Sequence, residues 1–513
     1  MTLADQVEAD LAPLYVAMTT AEWQNALEAT PAHEAEVVAA SKAFDAVLAD
    51  RNRFASLKAA DDGSDRRVHL LRLAFEASQR ERSLADRIIE AEAELATIFS
   101  THRGEIGGKP VPDNEIDRIL RESTDTEERR AAWDAAKSIG PIVDSKLREL
   151  ARLRNQAAQK LGYRDHFAMA LALDEIDETW LFALLDSLDA QLAASWAAHK
   201  TSIDRAQRVK LGLREGVPLQ PWDYDDAFFQ ESPAPAVDSL EAALAGVDPV
   251  AAATAYVTAL GHDVRGVLEA SDLYERDRKN QHAFCMDMNR GGDVRVLANC
   301  TPGLRWLGTM VHELGHAIYD LSISSDLPWA LRTTAHTMTT EAIAMIHGRV
   351  VRDGDFLERF CGANRSLGDL TLLRSDLQIF AHWVPVMTRF EQAMYADPDQ
   401  DLGALWWSLV ERNQGVTPPD GPRPHDWGCK VHFAIAPVYY HNYLLGELIA
   451  SQLEALIERE TGSRSAAANP ERAGALLRER FQAPGATLRW DALVEQATGA
   501  PLSPDAFTAF VNG

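Results

Sequence analysis

The chain has 513 residues, 25% charged and 46% apolar, with a formal net charge of −26. This composition is ordinary for a soluble globular protein, and the length allows a large core without disulfide staples. The acidity argues against nucleic acid and anionic membrane surfaces as partners, and no run of about 18 apolar residues offers a membrane-spanning helix.

The opening segment MTLADQVEADLAPLY has neither the basic nor the apolar stretch of a secretory signal, so a cytoplasmic protein is expected. Cys285, Cys300, Cys361 and Cys429 are few and form no CxxC pair, so free thiols are expected. Apolar residues recur at three- and four-residue spacing over 66–100, 127–162, 176–208, 366–396 and 438–460, which predicts helices there. Breaks fall at 104–113, 214–236 and 415–428. The middle break carries Trp222, Tyr224, Phe228 and Phe229, which require burial, so an ordered connection is expected rather than a flexible linker. The segments 282–288 and 293–299 flank Asn289-Arg290-Gly291-Gly292 and predict a β-hairpin. No internal repeat is present and composition offers no place to cut the chain. The expected fold is all-α with one small hairpin, as a single domain over 1–513.

The next segment carries chemistry. Trp306 to Leu321 is apolar-rich, follows Thr301-Pro302-Gly303, and contains His312-Glu313-Leu314-Gly315-His316. Residues four apart on a helix lie one above the other, so His312 and His316 present two imidazoles to one point. Two nitrogens and one further ligand leave the open position that catalytic zinc requires. A structural zinc site is disfavoured, because such sites are Cys-rich. Within 331–350 the only carboxylate is Glu341, in the apolar setting of Met338, Ala342, Ile343 and Ala344. Burying a lone carboxylate is costly, and a zinc ion offsets that cost. The bland alternative is an ion pair with Arg332 or Arg349. His336 and His347 share no helix face with Glu341 and read as ordinary hydrogen-bonding histidines. One zinc ion held by His312, His316 and Glu341 would polarise a carbonyl and acidify water, with Glu313 as the general base. The segment 430–443 then brings Lys430, His432, Tyr439, Tyr440 and Tyr443 together, polar groups suited to a developing oxyanion.

These blocks resemble the peptidyl-dipeptidase A family, the angiotensin-converting-enzyme-like zinc metallopeptidases, over about residues 95–450. His282-Ala283 and Asp287, the HELGH segment, Glu341-Ala342-Ile343, Trp406-Trp407-Ser408-Leu409 with Gln414-Gly415 and Pro418-Pro419, and Asp426, Gly428, Lys430 and His432 match its blocks in order. The resemblance implies a mainly helical ellipsoid split by a deep channel. Residues 1 to about 100 would form a lid, and 270–450 the catalytic core. It implies removal of C-terminal dipeptides from oligopeptides by a monomer or homodimer. His282 and Ala283 would bind substrate backbone, Lys430 and Tyr440 the terminal carboxylate, and His432 and Tyr443 the tetrahedral intermediate. Tyr439 could replace Tyr440. Two chloride-binding arginines of animal members are Val410 and Asn442 here, which argues against chloride activation. An aspartate that orients a zinc histidine in the family is Met345, so another group must take that role. Two rivals are a thimet-type oligopeptidase, which cuts internal bonds, and an inactive binding protein that keeps the fold.

Overall fold

The structure is a computed structural model and describes residues 2–233, 239–280 and 282–513. The chain is mainly helical. Among the described residues its strands form only two antiparallel two-stranded hairpins. It divides into two units, one of Met1–Gln79, Val237–Leu370 and Leu445–Phe507, the other of Arg80–Ala236, Thr371–Leu444 and Thr508–Gly513. The 79/80 boundary lies inside the stretch 66–100, whose periodicity is helical throughout. It is two helices, Arg66–Ala77 and Arg82–Thr101; 127–162 likewise holds two helices, Thr126–Lys137 and Gly140–Lys160. No described helix is long and apolar enough to cross a membrane.

In the first unit, the helices Leu3–Leu27 and Arg66–Ala77 share a core of Val7, Leu11, Leu57, Leu71 and Phe75. The expected hairpin pairs Phe284–Asp287 with Val294–Leu297, Phe284 opposite Leu297. The first helix docks on it through side-chain hydroxyls. Tyr15 donates to the Asp287 carbonyl at 3.0 Å and Thr19 to the Met288 carbonyl at 2.8 Å. Trp23 packs with Met288 and Leu297 beneath. Buried hydroxyls spent on backbone carbonyls satisfy groups that a two-stranded sheet leaves bare. All four cysteines are free thiols.

In the second unit, the stretch around 214–236 is ordered as far as it is described, to residue 233. It contains only one short turn of helix, Pro221–Asp223. Arg129 orders it: fully buried, it donates to the Trp222 and Tyr224 carbonyls, both at 2.8 Å, and pairs with Asp225. Trp222, Tyr224 and Phe229 are buried as their chemistry requires. A second hairpin, Gly104–Ile106 with Lys109–Val111, occupies the first sequence break. Gly107 and Gly108 both have positive φ, 61° and 75°, which is the two-residue turn that matches strand twist. The alternation flanking it is too short to stand out in the sequence.

Candidate active site

The helix Leu304–Ser322 carries the HELGH segment, and the helix Thr337–Arg349 carries Glu341. What lets them meet is Gly315. A Cβ there would lie 2.8 Å from Ala344 Cα, so only glycine permits this crossing. Gly446 makes a looser contact behind Glu341, where a Cβ would lie 3.1 Å from the Glu341 Cβ. The backbones approach closely enough for His312, His316 and Glu341 to bring one ligand atom each within 4.8 Å of one another. The two Nε2 atoms are 3.2 Å apart, and His312 Nε2 is 3.9 Å from Glu341 Oε2. Donors about 2.0–2.1 Å from a tetrahedral zinc ion lie roughly 3.3 Å from each other, so this set fits one.

The histidines are prepared as neutral ligands. Burial pushes His312 down to about 4 and His316 to about 3. Their second nitrogens are anchored. His316 Nδ1 lies 2.7 Å from Thr340 Oγ1, and the Ala344 backbone carbonyl holds His312. Thr340 therefore takes the orienting role that Met345 cannot, and it does so from the position just before Glu341. No threonine is marked for that task by the sequence alone. Glu313 is 7% exposed. Burial, then Glu341, raise its carboxyl to about 8, while the Cys285 backbone N–H holds it. A divalent cation on the three donors would draw that value down again. Of the two alternative partners for Glu341, Arg349 bonds Glu447 and Glu454, and Arg332 donates to the Leu327 carbonyl. His347 bonds Tyr256 at 2.9 Å, and His336 caps its own helix by accepting from the Met338 N–H. Both act as ordinary hydrogen-bonding histidines.

His282 and Ala283 lead directly into the strand Phe284–Asp287, with His282 exposed and Ala283 half-buried. Among the described residues that strand pairs with Val294–Leu297 alone; on its other edge the Cys285 N–H is given to Glu313 and the Asp287 carbonyl to Tyr15. The backbone of His282 and Ala283, just before the strand, is where an extended peptide could add to this edge.

The remaining candidates lie in the second unit and form a cluster of their own. Lys430 is 8% exposed, donates to Gln230 Oε1 at 2.8 Å, and stands over the rings of Phe228 and Trp383 at 4.1 and 4.9 Å. Burial lowers it to about 8. Tyr440 donates to the same Gln230 oxygen at 3.4 Å and accepts from Trp383 Nε1 at 2.8 Å. The His432 ring lies 4.8 Å from that of Tyr440, and the Tyr443 ring 5.5 Å from it. Among the described residues His432 Nδ1 has no hydrogen-bond partner, and burial holds its ring down to about 4. Tyr440, rather than the half-buried Tyr439, shares a partner with Lys430. Gln230 escapes sequence reasoning because it sits in irregular backbone with no periodicity to place it.

A family model described as peptidase family M3 matches residues 119–512. The chain belongs to peptidase family M3. The match spans every candidate residue named above, from His282 to Tyr443. A second model, described as angiotensin-converting enzyme, matches residues 2–193. No curated protein gives a match. The protein is thus a metallopeptidase of the kind that the HELGH segment and Glu341 led us to expect. The two matches overlap over residues 119–193.

Proposed function

We propose that this M3 peptidase hydrolyses oligopeptides with one zinc ion, held by His312, His316 and Glu341, and releases C-terminal dipeptides. The observation that carries the reading is the convergence of three ligand atoms within 4.8 Å beside the buried carboxyl of Glu313. When bound, the ion supplies Lewis acidity, polarising the scissile carbonyl and acidifying water. Glu313 takes the proton from the attacking water at its carboxylate and delivers it to the departing amine. The substrate backbone lies along His282 and Ala283, at the start of the strand Phe284–Asp287. His432 and Tyr443 donate to the developing oxyanion. Lys430 and Tyr440 receive the terminal carboxylate. An ammonium and a phenol are suited to that group, and Gln230 holds both ready. A second reading, prompted by the match to peptidase family M3 over residues 119–512, is a thimet-type oligopeptidase that cuts internal bonds of short peptides. Mass spectrometry of products from free and C-terminally amidated peptides, with and without chelator, separates the two. Dipeptides released only from free termini support the first reading. Equal cleavage of amidated peptides removes the carboxylate role of Lys430. Activity that survives both zinc removal and Glu313→Ala refutes the mechanism.

A further inference from the structure

A buried carboxyl that this mechanism does not use is tied to the loop that leads into Tyr440. Glu391, on the helix Thr371–Ala396, is 2% exposed. Its Oε1 accepts from the Val438 N–H at 2.8 Å. Val438 has a φ of +55° and is 3% exposed. A β-branched residue in the left-handed region is a genuine outlier, and it persists only where its surroundings impose it. Val438 lies between the short helix His432–Ile435 and the helix that starts at His441. The reversal at this residue therefore sets how Tyr440 and Tyr443 follow His432. The other side of the loop is tied by Arg154, which donates to the Phe433 and Ala434 carbonyls at 2.7 and 2.5 Å.

We propose that Glu391 is a positioning residue: its bond to the Val438 N–H holds the left-handed turn that registers Tyr440 and Tyr443 against Lys430 and His432. This rests on the peptidase reading for its functional consequence, though not for its structural one. One buried acceptor is what the turn requires, and a carboxylate is a costly way to supply it. Burial raises Glu391 to about 8, with Arg154 and the Val438 N–H opposing. A glutamine offers the same oxygen without a buried charge.

The test uses the full chain and four variants: Glu391→Gln, Glu391→Leu, Val438→Gly, and Glu391→Leu with Val438→Gly. Crystal structures give φ at 438 and the Trp383 Nε1 to Tyr440 Oη distance. Steady-state kinetics on a free-carboxylate peptide give kcat and KM, and zinc content is measured throughout. The expected result is near-parental kcat for Glu391→Gln and about tenfold lower kcat for Glu391→Leu at unchanged zinc content, as leaving the buried Val438 N–H without its acceptor predicts. In the Glu391→Leu structure residue 438 leaves positive φ and the Trp383–Tyr440 bond lengthens. Glycine adopts positive φ without the bond, so the double variant regains most of the lost kcat. A Glu391→Leu structure that keeps both features overturns the proposal. So does a double variant no better than Glu391→Leu, or a Glu391→Gln as impaired as Glu391→Leu. If the leucine variant does not fold, the glutamine and double variants decide. If the parent cuts no peptide, the functional reading fails alone, and the turn geometry still decides the role of Glu391.

Discussion

Thr340→Val tests the site at the point where this chain departs from its resemblance. The substitution keeps the shape and removes one hydroxyl. His316 Nδ1 sits 2.7 Å from that hydroxyl. With Nε2 facing the metal, Nδ1 carries the proton and donates. His316 is held low by burial, so water does not replace the lost acceptor well. An unsatisfied buried donor costs about 1–3 kcal/mol, and loss of an outer partner of a metal-binding histidine typically weakens affinity about 10–100-fold. The two ranges agree. Chelator competition at fixed pH measures the zinc dissociation constant directly. Thr340→Ser restores the acceptor and serves as the control, expected within a few-fold of the parent. Zinc affinity for Thr340→Val within twofold of the parent would refute the orienting role, and so would a serine variant as weak as the valine one.

Replacing His312, His316 or Glu341 with alanine is expected to abolish stoichiometric zinc by elemental analysis. Glu313→Gln should retain zinc yet lower kcat by about 10²–10⁴, the usual worth of a general base. Gly315→Ala forces a Cβ to within 2.8 Å of the Ala344 backbone, and overpacking of that kind costs about 1–3 kcal/mol. A lower midpoint of thermal unfolding for the metal-free chain, together with weaker zinc binding, is the expected outcome. Burial lowers Lys430 to about 8, so its ammonium is present below that pH and lost above it. On free-carboxylate peptides kcat/KM should therefore fall as pH rises through about 8, since this ratio reports the free enzyme. Lys430→Met should remove that limb and raise KM while leaving zinc content unchanged.

Much of this was legible in the residues themselves. The helix period over Leu304–Ser322 fixed the face that His312 and His316 share, because a spacing of four is a local property of the backbone. Glu341 could be singled out because it is the only carboxylate on an apolar helix, and a lone buried charge demands a partner. The hairpin Phe284–Asp287 with Val294–Leu297 was marked by its Gly-Gly turn and its alternating flanks. The match over residues 119–512 agrees with the metallopeptidase that those local signals indicated.

Other features arise only when distant segments meet. Gly315 is unremarkable in the sequence, and its necessity appears where one backbone crosses another. Thr340 acquires its role from a ring 24 residues away, and Gln230 from an ammonium 200 residues away. The left-handed turn at Val438 runs against local preference and is held by Glu391 from another helix. Periodicity and composition register what a residue prefers among its chain neighbours. The sequence by itself therefore marked the helical stretches, the HELGH face and Glu341 as the candidate third ligand. The tertiary structure decided which uncharged side chains orient them, because hydrogen-bond partners are set by packing.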